Sequence, residues 1–196
     1  SQPLENLRVL ISHPDQRVRM ESQFELVGRK DLATLKSIAL DTNVGTLGRL
    51  HGIWGVGQLV RSAETDQSSL MAGFIESLLQ DKDAEVVGAA CGIVSACGFS
   101  DNSAITRLLV HENLRVRYRA AMAVSKIGNG SDVDAVVKML TENADADPIV
   151  RHGGIMALNG IYLRDVDDGA EQVSNLVKHE SPSVRIALCV AMRKLL

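Results

Sequence analysis

The sequence predicts an all-α fold, a right-handed α-solenoid of about six helix pairs. Three observations point to it. A turn-plus-helix signature recurs along the chain, the mark of a repeat architecture. Val, Ile and Leu fall at helical spacing and nowhere alternate as strands require. The apolar residues are also small: 45% of the chain is hydrophobic, but only 3% is aromatic. A core of Ala, Val, Leu, Ile and Gly suits helices packed closely side by side.

The fullest copy of the signature is Glu142 to Ile161, ENADADPIVRHGGIMALNGI. Acidic and turn-forming residues lead to Pro148, and a small-residue amphipathic helix follows behind Val150-Arg151. The same pattern stands at Pro14–Arg19, Glu112–Arg117 and Glu180–Arg185, with a weaker copy at Asp81–Val87 and a divergent one ending at Arg49. Aligned on the Val-Arg position, the anchors are Arg19, Arg49, Val87, Arg117, Arg151 and Arg185, in steps of 30, 38, 30, 34 and 34 residues. Each step holds two helical patterns. The first unit pairs Leu4–Ile11 with Val18–Val27, the second Leu32–Leu40 with Leu47–Val60, and the third Ser69–Gln80 with Glu85–Cys97. The fourth pairs Asn102–Val110 with Val116–Ile127, the fifth Asp132–Thr141 with Ile149–Ile161, and the sixth Ala170–Lys178 with Val184–Leu195. The repeats therefore run at about 1–30, 31–63, 64–99, 100–129, 130–164 and 165–196 of one array, read as a segment of a larger protein.

Helix punctuation agrees with this division. Four residues before each anchor stand Asp15, Gly45, Asp83, Asn113, Asp147 and Ser181. All but the glycine are strong N-cap residues, whose side-chain oxygens accept from the free N–H groups of the first turn. Pro14, Pro148 and Pro182 sit where they stop one helix or start the next. Gly28, Gly98 and Gly128 are placed to close second helices in a left-handed conformation. Eight further glycines, at 52, 55, 57, 88, 92, 153, 154 and 160, fall inside second helices. Each costs roughly 0.8–1 kcal/mol relative to Ala. Close helix–helix approach at Gly52 and Gly154, three residues after their anchors, is the expected compensation.

Several functions are disfavoured by composition. A net charge of −3 supplies no basic field for nucleic acid. No apolar run approaches the roughly 18 residues of a membrane span, and no charged-then-apolar leader opens the chain. The three cysteines form no CxxC pair. Cys91 and Cys97 lie about 9 Å apart along one predicted helix, too far for a disulfide, and read as buried small hydrophobes.

This pattern resembles HEAT-type α-solenoids in their short bacterial form. Tetratricopeptide and ankyrin frameworks, with their Trp-Leu-Gly-Tyr and Thr-Pro-Leu-His signatures, are missing. The resemblance implies first helices on an outer convex layer and second helices on an inner concave one. It carries Arg19, Arg49, Arg117, Arg151 and Arg185 into a stacked arginine row, broken at Val87, that bonds turn carbonyls or neighbouring acids. Arg49–Leu59 (RLHGIWGVGQL) and Glu142–Ile161 further resemble the HEAT region of large secreted proteins of planctomycetes and related bacteria. Those proteins join a sorbosone-dehydrogenase-like β-propeller, a HEAT array and a C-terminal cytochrome c module. This closer likeness implies an extracytoplasmic or periplasmic spacer or docking segment whose partners are flanking domains or another protein.

No catalytic constellation stands out. His111-Glu112 and His179-Glu180 invite comparison with HEAT-repeat di-iron hydroxylases, but they lie in turns and not inside second helices. His51 and His152 lack convergent carboxylates. No catalytic, cofactor or metal residue is assigned. A non-catalytic scaffold or protein-interaction role is expected, with a small-ligand or bilin-handling HEAT protein resembling the phycobilin lyases, or a metal-dependent HEAT-repeat hydroxylase, as alternatives. The candidate docking face comprises Phe24, His51, Trp54, Gln58, Tyr118, Met122, His152, Met156 and Asn159. On this reading Trp54 and Met156 are accessible anchors among polar neighbours. The other reading of the same row is inter-repeat core, and burial separates the two.

Overall fold

A computed structural model describes residues 2–62, 68–97 and 102–193. Among these residues the secondary structure is entirely helical. The helices are α1 (Leu4–Leu10), α2 (Gln16–Gly28), α3 (Leu32–Leu40), α4 (Thr46–Ser62), α5 (Ser68–Leu79), α6 (Ala84–Cys97), α7 (Ser103–Arg107), α8 (Leu114–Ile127), α9 (Val133–Asn143), α10 (Pro148–Arg164), α11 (Asp168–Asn175) and α12 (Pro182–Arg193). Single 3-10 turns extend α7 and α11 and precede α9. Every expected helix pair is present, which places the chain in the all-α class.

The chain divides into two compact units, Ser1–Cys97 and Gly98–Leu196. The boundary falls between the third and fourth predicted repeats. In the first unit the second helices pack in sequence, α2 on α4 and α4 on α6, and each also packs on its own first helix. Fully buried Ile11, Leu26, Leu35, Ile38, Ile53, Met71, Ile75 and Leu78 fill the space between the layers. In the second unit α8 packs on α10 and α10 on α12, over a core that includes Ile105, Leu109, Met139 and Leu140. Two layers result in each unit because each second helix packs both on its own first helix and on a neighbouring second helix, so that α4 and α10 are buried on most sides.

Four of the five non-glycine caps act through their side chains. Asp15 accepts from the Arg17 N–H at 2.9 Å, Asp83 from Glu85 at 2.9 Å and Asn113 from Arg115 at 2.9 Å. Asp147 accepts from both Ile149 and Val150 at 2.8 Å, above Pro148 at the first helical position. At Ser181 the backbone makes the bonds: its N–H donates to His179 Nδ1 at 3.1 Å, and its carbonyl accepts from Arg185 N–H at 3.2 Å.

The glycine expectations need correction. Gly28 is the last helical residue of α2, and Lys30 takes the left-handed position at φ 57°. Lys30 N–H bonds Val27 O, and Asp31 N–H bonds Leu26 O, the paired closure of a Schellman motif. Gly128 ends α8 in extended backbone at φ −66°, so it is not a left-handed cap. Gly98 lies outside the described residues. At Gly52 a Cβ would meet the α3 backbone, 2.9 Å from Leu35 O and 3.0 Å from Ala39 N, so α3 and α4 do approach closely there. At Gly154 the space is taken by the flexible end of Leu140, 2.6 Å away. The tight backbone approach of α10 is six residues later: a Cβ on Gly160 would lie 2.0 Å from Ser125 O of α8.

Candidate functional site

The arginine anchors lie at the joints between helices. Arg49 is 5% exposed. Its Nε donates to Ala39 O at 2.9 Å, and both terminal nitrogens reach the carboxylate of Asp81 in the next repeat's turn. Burial alone would raise the Asp81 pKa. The Arg49 bonds, the Asp83 and Lys82 N–H groups and the guanidinium charge outweigh it and hold the carboxyl below its ordinary value. Arg117 donates to His111 O and lies 3.9 Å from Glu142, and Arg151 lies 3.4 Å from Asp145. Arg185 Nη1 bonds His179 O at 2.6 Å and Glu180 O at 2.8 Å. Arg19 is buried, with Nη1 bonded to His13 O at 2.7 Å and Pro14 O at 2.8 Å. These bonds tie the second helices that carry an anchor to the turn or helix before them, and Arg49 and Arg117 also reach a carboxylate of the next repeat.

The turn histidines have a role that spacing alone could have disclosed. His13 Nδ1 accepts from Asp15 N–H at 3.0 Å, His111 Nδ1 from Asn113 N–H at 3.0 Å, and His179 Nδ1 from Ser181 N–H at 3.1 Å. A ring accepting at Nδ1 carries its proton on Nε2. His, cap and Arg thus recur at positions i, i+2 and i+6 in three repeats. The imidazole positions the cap, and the arginine closes on the histidine's carbonyl. Asp81 substitutes for the ring in the third repeat, accepting from Asp83 N–H at 2.9 Å.

Other joints have no sequence signature. Thr46 Oγ1 donates to Asp83 Oδ2 at 2.5 Å, linking the start of α4 to the cap of α6. Arg164 of α10 reaches Gly128 O at 3.2 Å and Ser125 O at 3.3 Å, satisfying carbonyls at the end of α8. Buried Asp132 accepts from Thr106 Oγ1 at 2.8 Å, Asn102 Nδ2 at 3.1 Å and Asn129 N–H at 3.0 Å, knitting the first-helix layer of the second unit together.

The candidate docking residues separate by burial. In the first unit Trp54 is 45% exposed and Phe24 44%, at equivalent positions of α4 and α2. Gln58 is half-buried, and its Oε1 accepts from Gln23 Nε2 at 3.0 Å. His51 is corrected: it is 3% exposed and belongs to the α2–α4 core, where Nδ1 lies 2.7 Å from Gln23 Oε1. Its position one turn before Trp54 faces the neighbouring helix, because α2 supplies a buried amide to meet it. In the second unit His152 is exposed, while Tyr118, Met122, Met156 and Asn159 are half-buried. Asn159 Nδ2 donates to Ala191 O at 3.2 Å, and Arg119 lies over the Tyr118 ring. Trp54 and Met156 are therefore not enclosed. Among the described residues no group of three or more His, Cys, Asp or Glu could hold a metal ion, and no helix is long and apolar enough to cross a membrane.

Residues 71–159 match the family model of HEAT repeats. No curated protein matches the chain in sequence. Among solved structures, a chain from a study of microtubule plus-end tracking by XMAP215, CLIP-170 and EB1 is similar at TM-score 0.65 and 16% identity, covering 98% of this chain and 90% of that one. A designed armadillo repeat protein in complex with the peptide (KR)4 is similar at TM-score 0.56 and 16% identity, with 100% of each chain covered. An engineered protein is similar at TM-score 0.53 and 20% identity, over 100% of this chain and 99% of its own. The fold is thus that of the HEAT and armadillo class of helix-pair repeats, and residues 71–159 carry the HEAT-repeat sequence pattern itself.

Proposed function

We propose that this chain is a non-catalytic scaffold that binds protein through the open side of its second helices. The observation that carries the reading is Trp54, left 45% exposed beside α2 with its equivalent, Phe24, exposed as well. An exposed tryptophan in a chain this poor in aromatic residues is a natural interface anchor. The fold supports the same use, since a designed armadillo repeat protein of similar fold is seen in complex with a peptide.

The finer reading concerns context. Because Arg49–Leu59 and Glu142–Ile161 resemble the HEAT segment of secreted propeller and cytochrome c proteins, the proposed partner is a flanking domain of the same polypeptide, outside the cytoplasm. The module then holds a propeller dehydrogenase-like domain and a cytochrome c domain at a fixed spacing. Sequencing the complete gene tests the context, and calorimetry of residues 1–196 against the separately expressed flanking domains tests the contact. A gene without propeller and CxxCH sequences, or flanking domains that do not bind, would refute the corresponding part.

A further inference from the structure

His51 sits where α2 and α4 pack, and it links buried polar groups to the exposed indole. Gln23 Nε2–H donates to Gln58 Oε1, leaving its own Oε1 to accept, so the His51 ring carries its proton on Nδ1. The same ring meets Trp54 in an edge-on contact, centroids 5.1 Å apart and planes 75° apart. On the α2 side lies Arg19, 7% exposed, with Nε unpartnered and its other bonds made only to carbonyls. Arg49, Arg117 and Arg151 each reach a carboxylate. Arg19 reaches none within ion-pair distance; Asp15, the cap of its helix, is bound by Arg17 and feels the Arg19 charge only at longer range. Of the other charged groups on the helices packed against α4, Glu21 of α2 is exposed, Glu25 of α2 pairs with Arg29, Lys36 of α3 lies over Phe74 of α5, and Glu85 of α6 is exposed; on α4 itself Arg49 pairs with Asp81.

We propose that His51 is an acid-sensitive switch on the Trp54 face. A proton taken from solvent onto Nε2 places a second positive charge in a buried cluster that already holds Arg19, which makes no ion pair among the described residues, and α2 loosens from α4 beside the indole. Burial first, and the Arg19 charge second, keep the ring's pKa below the ordinary 6.5. The folded unit therefore takes up this proton later than the unfolded chain does. Its contribution to stability is complete above 6.5 and is lost as the pH falls from there through the lower folded value. The proposal rests on the docking reading for its consequence, namely that an acid medium would release whatever Trp54 holds.

Trp54 is the single tryptophan of the chain, so it reports its own surroundings. The experiment follows acrylamide quenching of Trp54 and the NMR signals of the His51 ring from neutral pH down through the histidine range, with far-UV circular dichroism alongside. The expected result is a rise in the quenching constant with a midpoint below 6.5, at constant helicity, tracking the His51 ring. His51→Gln should leave quenching flat. Arg19→Gln should move the midpoint upward and Arg19→Lys should leave it in place. A wild-type ring that titrates at 6.5 or above overturns the switch, and this needs no variant to fold. An unchanged quenching profile in His51→Gln does so too. If the profile is flat while Trp54→Ser still abolishes binding of a flanking domain, the switch fails and the docking reading stands. If Trp54→Ser leaves binding intact, the docking reading fails whatever His51 does.

Discussion

Replacing a helical glycine with alanine ordinarily stabilises a protein, by about 0.8–1 kcal/mol in a helix interior. Two glycines in second helices of this chain should respond with opposite sign. Around Gly92 of α6 a Cβ would meet nothing within 4 Å, so Gly92→Ala should gain roughly that amount. At Gly160 of α10 the Cβ would lie 2.0 Å from Ser125 O and 2.7 Å from Ser125 C and Cα. An unstrained C···O contact is about 3.3 Å or longer, so α10 must retreat from α8 by roughly 1.3 Å. The obstacle is backbone and no rotamer change relieves it. Overpacking of this kind costs typically 1–3 kcal/mol, and more where the backbone cannot give. Against the propensity gain, Gly160→Ala should be a net loss of about 1–2 kcal/mol. Urea unfolding of both variants against the parent measures the two signs in one experiment, and thermal midpoints should move by roughly 2–4 °C per kcal/mol for a chain of this size. Equal stabilisation by both substitutions would refute the claim that α8 and α10 meet at Gly160.

Further substitutions test the joints. Asp81→Asn leaves the nearly buried Arg49 without its counter-charge and should cost about 3 kcal/mol by denaturant titration. The parent's share of stability from Asp81 should be complete above 3.8 and disappear as the pH drops through the lowered folded value, whereas Asp81→Asn should lose that acid-range dependence. Asp147→Ala removes the acceptor of two N–H groups, so a loss of about 1 kcal/mol is expected; an unmoved thermal midpoint would count against the cap. Lys30→Gly relieves a left-handed lysine and should gain up to about 1 kcal/mol. A loss of stability there would contradict the Schellman closure of α2.

The parts legible from sequence were those set by local rules. Helical periodicity, the caps Asp15, Asp83, Asn113 and Asp147, and the turn prolines each act within one turn of chain, so spacing alone located the helix pairs. The anchors' bonding to turn carbonyls was legible for the same reason. What escaped depends on where two helices cross. Gly154 and Gly160 look alike in sequence, but only Gly160 lies on the contact line with the backbone of α8. His51 and Trp54 are one turn apart on α4, and burial separates them because Gln23 on another helix supplies a partner for the imidazole. Lys30 replaces the expected glycine because the Schellman bonds of α2 close two residues beyond Gly28. Of the expected docking residues, Phe24 and Trp54 are therefore exposed and His51 is buried.

The central claim is that the open side of the second helices binds protein through those two aromatic side chains. The most direct test is the affinity of residues 1–196 for the flanking domains, compared with that of a Phe24→Ser, Trp54→Ser variant whose thermal midpoint matches the parent. Interface anchors of this kind are worth about 2 kcal/mol or more each, so losing both should weaken binding by about 700-fold. An affinity equal to the parent's, with the fold intact, would contradict the account.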